Sequence, residues 1–229
     1  MTIEAVVFDM DGVLIDSEVL WQRVREDFAA ERGLPWRQED QEALMGCSTE
    51  VWSVRMCERL ALTDISPAEL ATDILGRVQR AFETDLPVRP GAAEVLAALG
   101  QRWPLALATG SPRELADCAL RLTGFGKHFQ ATVCGDEVRH GKPHPEIYQR
   151  AVAALGVAPS RAAGIEDSAN GLRALRAAGL WAIAAPGEAF PLRPAELALG
   201  HAVVQHLSAI RPDFVAALPR AGSAAYTSA

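Results

Sequence analysis

The chain has 229 residues, a formal net charge of −7, a pI near 5.3 and 49% hydrophobic residues. This composition is typical of a folded globular protein and excludes collagen-like, coiled-coil and disordered chains. The acidic balance argues against nucleic acid as a partner, because phosphate contacts require clustered cations. No apolar run approaches the roughly 20 residues of a membrane-spanning helix, and the first residues do not resemble a secretion signal. We therefore expect a cytoplasmic protein without a membrane partner.

Cysteine and lysine are both scarce. The four cysteines form no CxxC pair and no zinc-finger spacing with histidine, so we expect reduced thiols and neither a disulfide framework nor a structural zinc site. The five histidines show no metal-ligand spacing, and we expect them to be structural or surface residues. Of the 22 basic residues only Lys127 and Lys142 are lysines. A lysine near a predicted site is therefore informative.

Short apolar runs alternate with segments of helical periodicity. The runs that predict buried strands lie at 3–9, 105–109, 131–134, 162–166 and 181–185. The segments that predict helices lie at 91–100, 112–122, 145–156 and 169–178. This alternation predicts an α/β fold, a Rossmann-like parallel sheet covered by helices on both faces. Ligands of such sheets bind beyond the carboxyl ends of the strands, so we look for function directly after each run.

The stretch from 17 to 86 interrupts this alternation. It has helical periodicity and no convincing strand, and the α/β pattern resumes after the Pro/Gly-rich segment 87–91. We therefore predict an all-helical insertion at 16–87 in a core formed by 1–15 and 88–229. The two connections, at 16–17 and 87–90, have the composition of a hinge between an open and a closed state.

Acidic residues end two of the predicted strands. Asp9 and Asp11 follow the first run, and Glu166 and Asp167 close the fourth, with Ser168 as the predicted N-cap of the next helix. Close carboxylates repel one another unless they share a cation, and a hard divalent ion such as Mg²⁺ fits oxygen ligands. Alternatively, the first pair belongs to a simple turn and the second to an acidic helix N-terminus.

Hydroxyl groups and a lysine follow the other predicted strands. Thr109, Gly110 and Ser111 close the second run, and Ser111 begins a capping-box pattern with proline at the first helical position. Free N–H groups at such a helix start can bind a phosphate. Lys142 precedes a proline at the entrance to another helix, where its charge could meet a phosphoryl group. An ordinary capped helix and a solvated lysine are the structural alternatives.

These four elements, in this order, resemble the motifs of the haloacid dehalogenase superfamily. The matching segments are Phe8–Glu18, Thr109, Lys142–Tyr148 and Ile165–Gly171, and the resemblance extends from residue 3 to about 185. It implies that the helical insertion is a cap domain, as in β-phosphoglucomutase-like phosphatases.

The resemblance also implies a role for each motif residue. Asp9 would attack phosphorus and form an aspartyl-phosphate, and Asp11 would act first as general acid and then as general base. Mg²⁺ would be bound by Asp9, the backbone carbonyl of Asp11 and Asp167, with Glu166 nearby or acting through water. The phosphoryl oxygens would be held by Thr109 and Lys142, with Gly110 and Ser111 on the substrate side.

Several reactions occur in this superfamily, and the residues favour one of them. Asp11 argues against a dehalogenase, since halide loss needs no general acid. The phosphonatases need a cap lysine, and this chain has no lysine before residue 127. The β-phosphoglucomutases resemble this chain less at Trp21 and Thr49, where they have a histidine and a basic residue. The Asp-Ser-Glu-x-Leu-Trp segment is similar to sugar-phosphate phosphatases of the 2-deoxyglucose-6-phosphatase kind.

We therefore expect a phosphoric monoester hydrolase that acts on a small phosphorylated metabolite, with a sugar phosphate as the first choice. Trp21 is a candidate substrate contact or a plain cap-core residue, and Gly46 is a second candidate contact on the cap side. The alternatives are a phosphosugar mutase and a non-catalytic phosphate-binding protein. A monomer is expected, since no exposed motif demands a partner.

Overall fold

The computed structural model describes residues 2–221 and 226–228, and its centre is a parallel sheet. The strands are β1 (Ala5–Phe8), β2 (Leu105–Ala108), β3 (Ala131–Val133), β4 (Ala162–Glu166), β5 (Trp181–Ala184), β6 (Ala202–Val204) and β7 (Tyr226–Ser228). They lie in the order β3-β2-β1-β4-β5-β6-β7, and every neighbouring pair is parallel. The predicted α/β fold class is therefore confirmed.

Ten helices accompany the sheet in the described part of the chain. They are α1 (Glu18–Glu31), α2 (Gln38–Glu42), α3 (Thr49–Leu60), α4 (Pro67–Thr84), α5 (Ala92–Gly100), α6 (Arg113–Thr123), α7 (Glu146–Ala154), α8 (Ala169–Ala178), α9 (Pro194–Leu197) and α10 (Pro212–Ala221). The four helices predicted after residue 90 correspond to α5, α6, α7 and α8. None of the described helices is long and apolar enough to cross a membrane.

The central strands are buried on both faces, as expected of a parallel sheet between helices. All four residues of β1 and of β2 are buried, and alternate side chains enter two separate apolar clusters. Val6 and Phe8 join one cluster and Ala5 and Val7 the other. This packing fixes the register of β1 and, with it, the positions of the residues that follow Phe8.

Four helices, α1 to α4, lie within residues 16–87, where the sequence predicts an all-helical insertion. The described residues 17–86 contain no strand. Helix α4 packs against α1 and α3, and the indoles of Trp21 and Trp52 meet edge to face with ring centroids 5.9 Å apart. Ser66 caps α4 with a complete capping box. The division into a core and a separate cap domain stays a prediction.

The two connections to this helical segment run side by side. The N–H of Asp16 donates to the carbonyl of Pro87 at 2.8 Å, and the N–H of Arg89 donates to the carbonyl of Leu14 at 3.0 Å. The Arg89 guanidinium also donates to the carbonyls of Gly12, Ala185 and Pro186. One arginine thus ties the loop after β1 to the end of β5.

The five predicted strands are all present with slightly different ends, but β6 and β7 were missed. Each has only three residues, and the run Ala202–Val204 lies among polar neighbours. Such short strands depend on the strands that are already paired beside them.

Candidate active site

Asp9 is the first residue after β1, at the carboxyl edge of the sheet. Its side chain is buried, and its Oδ1 accepts a hydrogen bond from Lys142 Nζ at 2.7 Å. Burial raises the pKa of Asp9 well above its usual value, although the charge of Lys142 acts in the opposite direction. The site therefore holds a desolvated carboxylate whose main partner within the protein is one ammonium group.

Lys142 is 3% exposed and links this carboxylate to a second one, Glu166. Its Nζ donates to Glu166 Oε1 at 2.5 Å, and the Tyr148 hydroxyl donates to the same oxygen at 2.7 Å. Burial disfavours the ammonium, but the charges of Asp9 and Glu166 raise the pKa of Lys142 above its usual value. Lys142 therefore stays protonated in the site.

Glu166 is fully buried, and both of its oxygens are occupied. The N–H and the hydroxyl of Ser168 donate to its Oε2 at 2.9 and 3.0 Å, while Lys142 and Tyr148 occupy Oε1. Ser168 Oγ in turn accepts the N–H of Gly171, so Ser168 is the N-cap of α8 as predicted. Glu166 is thus a fixed anchor for Lys142.

Asp11 is held by hydroxyl groups from both sides of the pocket. Its Oδ1 accepts from Ser17 Oγ at 2.6 Å and from Trp21 Nε1 at 3.4 Å. Its Oδ2 accepts from Ser111 Oγ at 2.8 Å and from Thr109 Oγ1 at 3.1 Å. The carboxyl group is therefore oriented by the start of the helical segment and by the loop after β2.

Three carboxylates lie close enough together to hold a metal ion. Oxygen atoms of Asp9, Glu166 and Asp167 lie within 4.8 Å of one another, and all three side chains are buried. Burial and the charges of the other two raise the pKa of Asp167 well above its usual value. An all-oxygen set of this kind, short of positive charge, fits a hard divalent cation such as Mg²⁺.

Gly12 allows Asp167 to approach the loop after β1. Gly12 has a φ of +73°, and a Cβ at this position would lie 1.9 Å from Asp167 Oδ2. The left-handed backbone and the close approach both require glycine here.

A pocket connects these residues with the helical segment. The predicted site residues that line it are Asp9, Asp11, Trp21, Gly46, Gly110, Ser111, Lys142 and Asp167. The other two, Thr109 and Glu166, are fully buried behind it. All predicted site residues are therefore brought together at one edge of the sheet.

The loop around Gly46 closes one side of this pocket. Gly46 has a φ of +68°, and a Cβ there would lie 2.7 Å from Ser168 Oγ. Beside it, the carbonyl of Met45 accepts from Asn170 Nδ2 at 3.1 Å. The helical segment thus touches the start of α8 directly over the carboxylates.

Residues 3–179 match the model of the haloacid dehalogenase-like hydrolases. The chain belongs to this family. The predicted resemblance is therefore confirmed.

Curated relatives of this hydrolase cover most of its length. It is 35% identical over 178 residues to the phosphorylated carbohydrates phosphatase of Thermotoga maritima, which covers 77% of this chain and 82% of that protein. It is 31% identical over 184 residues to hexitol phosphatase B of Escherichia coli K12, covering 80% of this chain and 83% of that protein.

Solved structures of similar proteins agree with this hydrolase fold. CbbY from Rhodobacter sphaeroides, in complex with phosphate, has a TM-score of 0.78 and 30% identity over 90% of this chain and 95% of that one. A β-phosphoglucomutase from Clostridium difficile has a TM-score of 0.83 and covers 95% of this chain and 97% of that one. At 20% identity, the second likeness concerns the fold alone.

One detail of the hydrolase's motif residues differs from the prediction. The sequence pattern from Ser111 predicts a capping box, but α6 begins at Arg113 and its N-cap is Pro112, without a side-chain hydrogen bond. The Ser111 hydroxyl donates instead to Asp11, and the Ser111 N–H donates to Thr109 Oγ1 at 3.1 Å. Because α6 begins at Arg113, Ser111 lies one residue before the N-cap position, and its hydroxyl is held toward the charged Asp11 carboxylate.

Sequence reasoning also missed polar residues on the side of the pocket that the helical segment forms. Glu18 and Arg25 line it from α1, and Gln41 of α2 hydrogen-bonds to both. Residues 18, 21 and 25 are spaced by three and four positions, which places them on one face of α1. The sequence does contain a signal for them: charged residues share a helix face with Trp21, whose large apolar side chain indicates an interior position.

Proposed function

We propose that this chain is a Mg²⁺-dependent phosphatase that hydrolyses a small phosphomonoester, a sugar phosphate, through an aspartyl-phosphate on Asp9. The observation that carries the proposal is the position of Asp9: its carboxylate is paired with Lys142 and lies beside Asp167, facing the pocket that Asp11 also lines. A nucleophile, a cation for the phosphoryl oxygens and a general acid are thus available to one bound phosphate.

The names of the relatives support two parts of this proposal, the phosphatase activity and the sugar phosphate as substrate. The expected enzyme class, a phosphoric monoester hydrolase, is confirmed, since the relatives are phosphatases of this family. Their names refer to phosphorylated carbohydrates, hexitol phosphates and fructose 1-phosphate. We infer a substrate of the same kind for this chain, a small phosphorylated carbohydrate.

The residues present fit a bound Mg²⁺ ion. The ion would be held by Asp9, Asp167 and the backbone carbonyl of Asp11. The oxygens of Glu166 already accept four hydrogen bonds, so this carboxylate would lie near the ion and hold Lys142 in place. When bound, the ion would offset the negative charge that carboxylates and phosphate bring together. The raised pKa values of Asp9 and Asp167 support this assignment, because they indicate carboxylates that lack sufficient positive charge.

In the first half of the reaction, a carboxylate oxygen of Asp9 forms a bond to phosphorus as the ester P–O bond breaks. Asp11 gives its proton to the departing alkoxide. Lys142 holds phosphoryl oxygens by charge, and the loop of Thr109 and Ser111 keeps the Asp11 carboxyl group directed into the pocket. The sugar then leaves as a neutral alcohol.

In the second half, water attacks the phosphorus of the aspartyl-phosphate. Asp11, now ionised, accepts the proton of this water, and the bond between phosphorus and the Asp9 oxygen breaks. Inorganic phosphate leaves and both carboxyl groups return to their starting states. Closure of the helical segment over the site would exclude other water molecules while the ester bond is being broken in the first half of the reaction.

The alternatives are less favoured. A mutase must grip a second phosphate, and the two positions that would support it carry Trp21 and Thr49, neither of which is charged. A non-catalytic phosphate-binding protein would not need Asp11 held by four donors. We further expect a cytoplasmic monomer, and the four buried, free cysteines fit a reducing compartment.

Phosphate release from a panel of phosphorylated metabolites tests the proposal. The panel contains hexose 1- and 6-phosphates, a hexitol phosphate, glycerol phosphates and p-nitrophenyl phosphate, each with Mg²⁺ and with EDTA. We expect release that requires Mg²⁺ and is fastest with a sugar phosphate. Release from none of these esters would overturn the proposal, and isomerisation of glucose 1-phosphate in the presence of a bisphosphate would establish the mutase.

A further inference from the structure

Arg25 is a buried cation on the wall of the pocket opposite the catalytic aspartates. Its side chain is 3% exposed, and its guanidinium carbon lies 4.7 Å from the ring centroid of Trp21 and 5.2 Å from that of Trp52. Its Nη1 donates to Gln41 Oε1 at 2.9 Å, while its buried Nε has no hydrogen-bond partner. In the described part of the chain, no carboxylate lies within 4.0 Å of Arg25.

A single amide connects this cation to a buried carboxylate. Gln41 is fully buried, and its Nε2 donates to Glu18 Oε2 at 2.9 Å while its Oε1 accepts from Arg25. The two charged groups are therefore bridged by an amide and are not paired directly. Here each is held at one end of Gln41, so each keeps hydrogen-bonding groups that the described residues do not use.

The charge and chemistry of these groups indicate what they bind. Arg25 offers only donors, and an ionised Glu18 offers only acceptors, whereas a hydroxyl group is both. A second anionic group on the ligand would be attracted to Arg25 but would also meet Glu18. The apolar walls of Trp21 and Trp52 suit the C–H groups of a carbon chain. Burial lowers the pKa of Arg25 only to about 10, so it stays charged at neutral pH.

We propose that Arg25, Glu18 and Gln41 form a subsite that binds hydroxyl groups of the leaving alcohol, and that this alcohol is an uncharged polyol or sugar. The proposal rests on the proposed phosphatase function and makes it more specific. It excludes sugar bisphosphates and phosphorylated sugar acids as preferred substrates. Arg25 is thus a determinant of specificity on the cap side of the pocket.

Three phosphate esters, assayed with variants of Arg25 and of a control residue, test the subsite. The esters are sorbitol 6-phosphate, hexyl phosphate of the same chain length without the hydroxyls, and p-nitrophenyl phosphate. The variants are Arg25→Met and, as a matched control, Arg23→Met on the exposed side of the same helix. For the wild type we expect a kcat/KM at least about 100-fold higher for sorbitol 6-phosphate than for hexyl phosphate, because unpaired buried polar groups penalise the analogue.

Arg25→Met should lower kcat/KM for sorbitol 6-phosphate by about 100-fold, mainly through KM, and change that for p-nitrophenyl phosphate less than about threefold. Arg23→Met should change neither, and Arg25→Lys should restore part of the loss. Equal losses with both esters would show a merely structural role for Arg25 and overturn the proposal.

Two further measurements distinguish failure of the subsite proposal from failure of the proposed phosphatase function. The wild-type enzyme is also assayed with fructose 1,6-bisphosphate and 6-phosphogluconate, which carry a second anion. Preference for either over sorbitol 6-phosphate overturns the subsite proposal while leaving the phosphatase intact. Should Arg25→Met not fold, Glu18→Gln replaces it, with the same selective loss expected. Absence of hydrolysis of p-nitrophenyl phosphate by the wild type would instead contradict the proposed function itself.

Discussion

Lys142 and Asp9 form an ion pair of 2.7 Å in which both side chains are almost completely withdrawn from solvent. The same ammonium lies 2.5 Å from Glu166, so one cation serves two buried carboxylates that come from different strands. Removing one member of a buried ion pair leaves an unpaired charge, which is far more costly than losing a surface pair. We therefore expect the lysine to have both a functional and a structural role.

Lys142→Met should therefore abolish phosphate release and also lower the free energy of unfolding by about 3 kcal/mol. The measurement is urea unfolding in EDTA together with the phosphate assay in Mg²⁺. The chain offers a matched control, since its other lysine, Lys127, is exposed. Lys127→Met should change neither quantity. A Lys142→Met protein as stable and active as the wild type would contradict the role of this pair.

Asp9→Asn should remove turnover but retain the fold. An amide cannot act as the nucleophile, and the loss of a nucleophile lowers kcat by about four orders of magnitude or more. Lys142 keeps Glu166 as a partner, so we expect the free energy of unfolding to change by only about 1 kcal/mol. The control is Asp213→Asn at a fully exposed carboxylate. Residual activity near that of the wild type would rule out Asp9 as the nucleophile.

Mg²⁺ should stabilise the folded protein through Asp9 and Asp167, independently of any substrate. A ligand present at about 100 times its Kd adds about 2.7 kcal/mol to the free energy of unfolding. We expect this gain in the wild type and its loss in Asp167→Asn, measured by urea unfolding with and without Mg²⁺. Asp117→Asn, at an exposed carboxylate, should keep the full gain. Equal stabilisation of all three proteins would place the ion elsewhere.

The motif residues were predictable because the fold class alone brings them together. Asp9, Thr109 and Asp167 each stand at the end of a strand, and the carboxyl ends of neighbouring parallel strands meet at one edge of the sheet. The Gln41 bridge between Glu18 and Arg25 was not predictable, because it depends on how α2 packs against α1. No periodicity within either helix encodes that packing.

Local patterns failed where a tertiary contact competed with them. Ser111 has the sequence of a helix cap, yet its hydroxyl binds a carboxylate 100 positions away in the chain. Arg89 looks like an ordinary linker residue, but its guanidinium reaches three backbone carbonyls. In both cases the decisive partner lies on another segment, so a window of sequence contains no sign of it.

Arg89→Lys should weaken the join between the loop after β1 and the end of β5. The planar guanidinium binds the carbonyls of Gly12, Ala185 and Pro186 together, and an ammonium on a flexible stem cannot reproduce this geometry. We expect a loss of about 1 to 2 kcal/mol in unfolding free energy and about a tenfold lower kcat, since 1 Å shifts near a site are costly. Arg102→Lys at the surface should be neutral. A stability loss with unchanged kcat would show that Arg89 acts on the fold alone.

Glu18 should make the protein less stable as the pH rises towards neutrality. Burial raises the pKa of this carboxyl group to about 7, although the charge of Arg25 opposes the shift. Between the unfolded and folded pKa values the folded state binds more protons than the unfolded state, so the free energy of unfolding falls with increasing pH. We expect the wild type to lose about 2 kcal/mol between pH 5 and pH 8 relative to Glu18→Gln.

Urea unfolding of both proteins in EDTA, at several pH values across this range, measures that difference. The other buried carboxyl groups near the pocket, Asp9 and Asp167, also have raised pKa values, but they are present in both proteins and largely cancel. The deficit of the wild type should be smallest near pH 5, grow as the pH passes 7 and level off above about pH 8, where Glu18 is ionised in both states. If the difference in unfolding free energy between the two proteins did not vary with pH, Glu18 would titrate normally. The positive charge of Arg25 would then fully offset the effect of burial on Glu18.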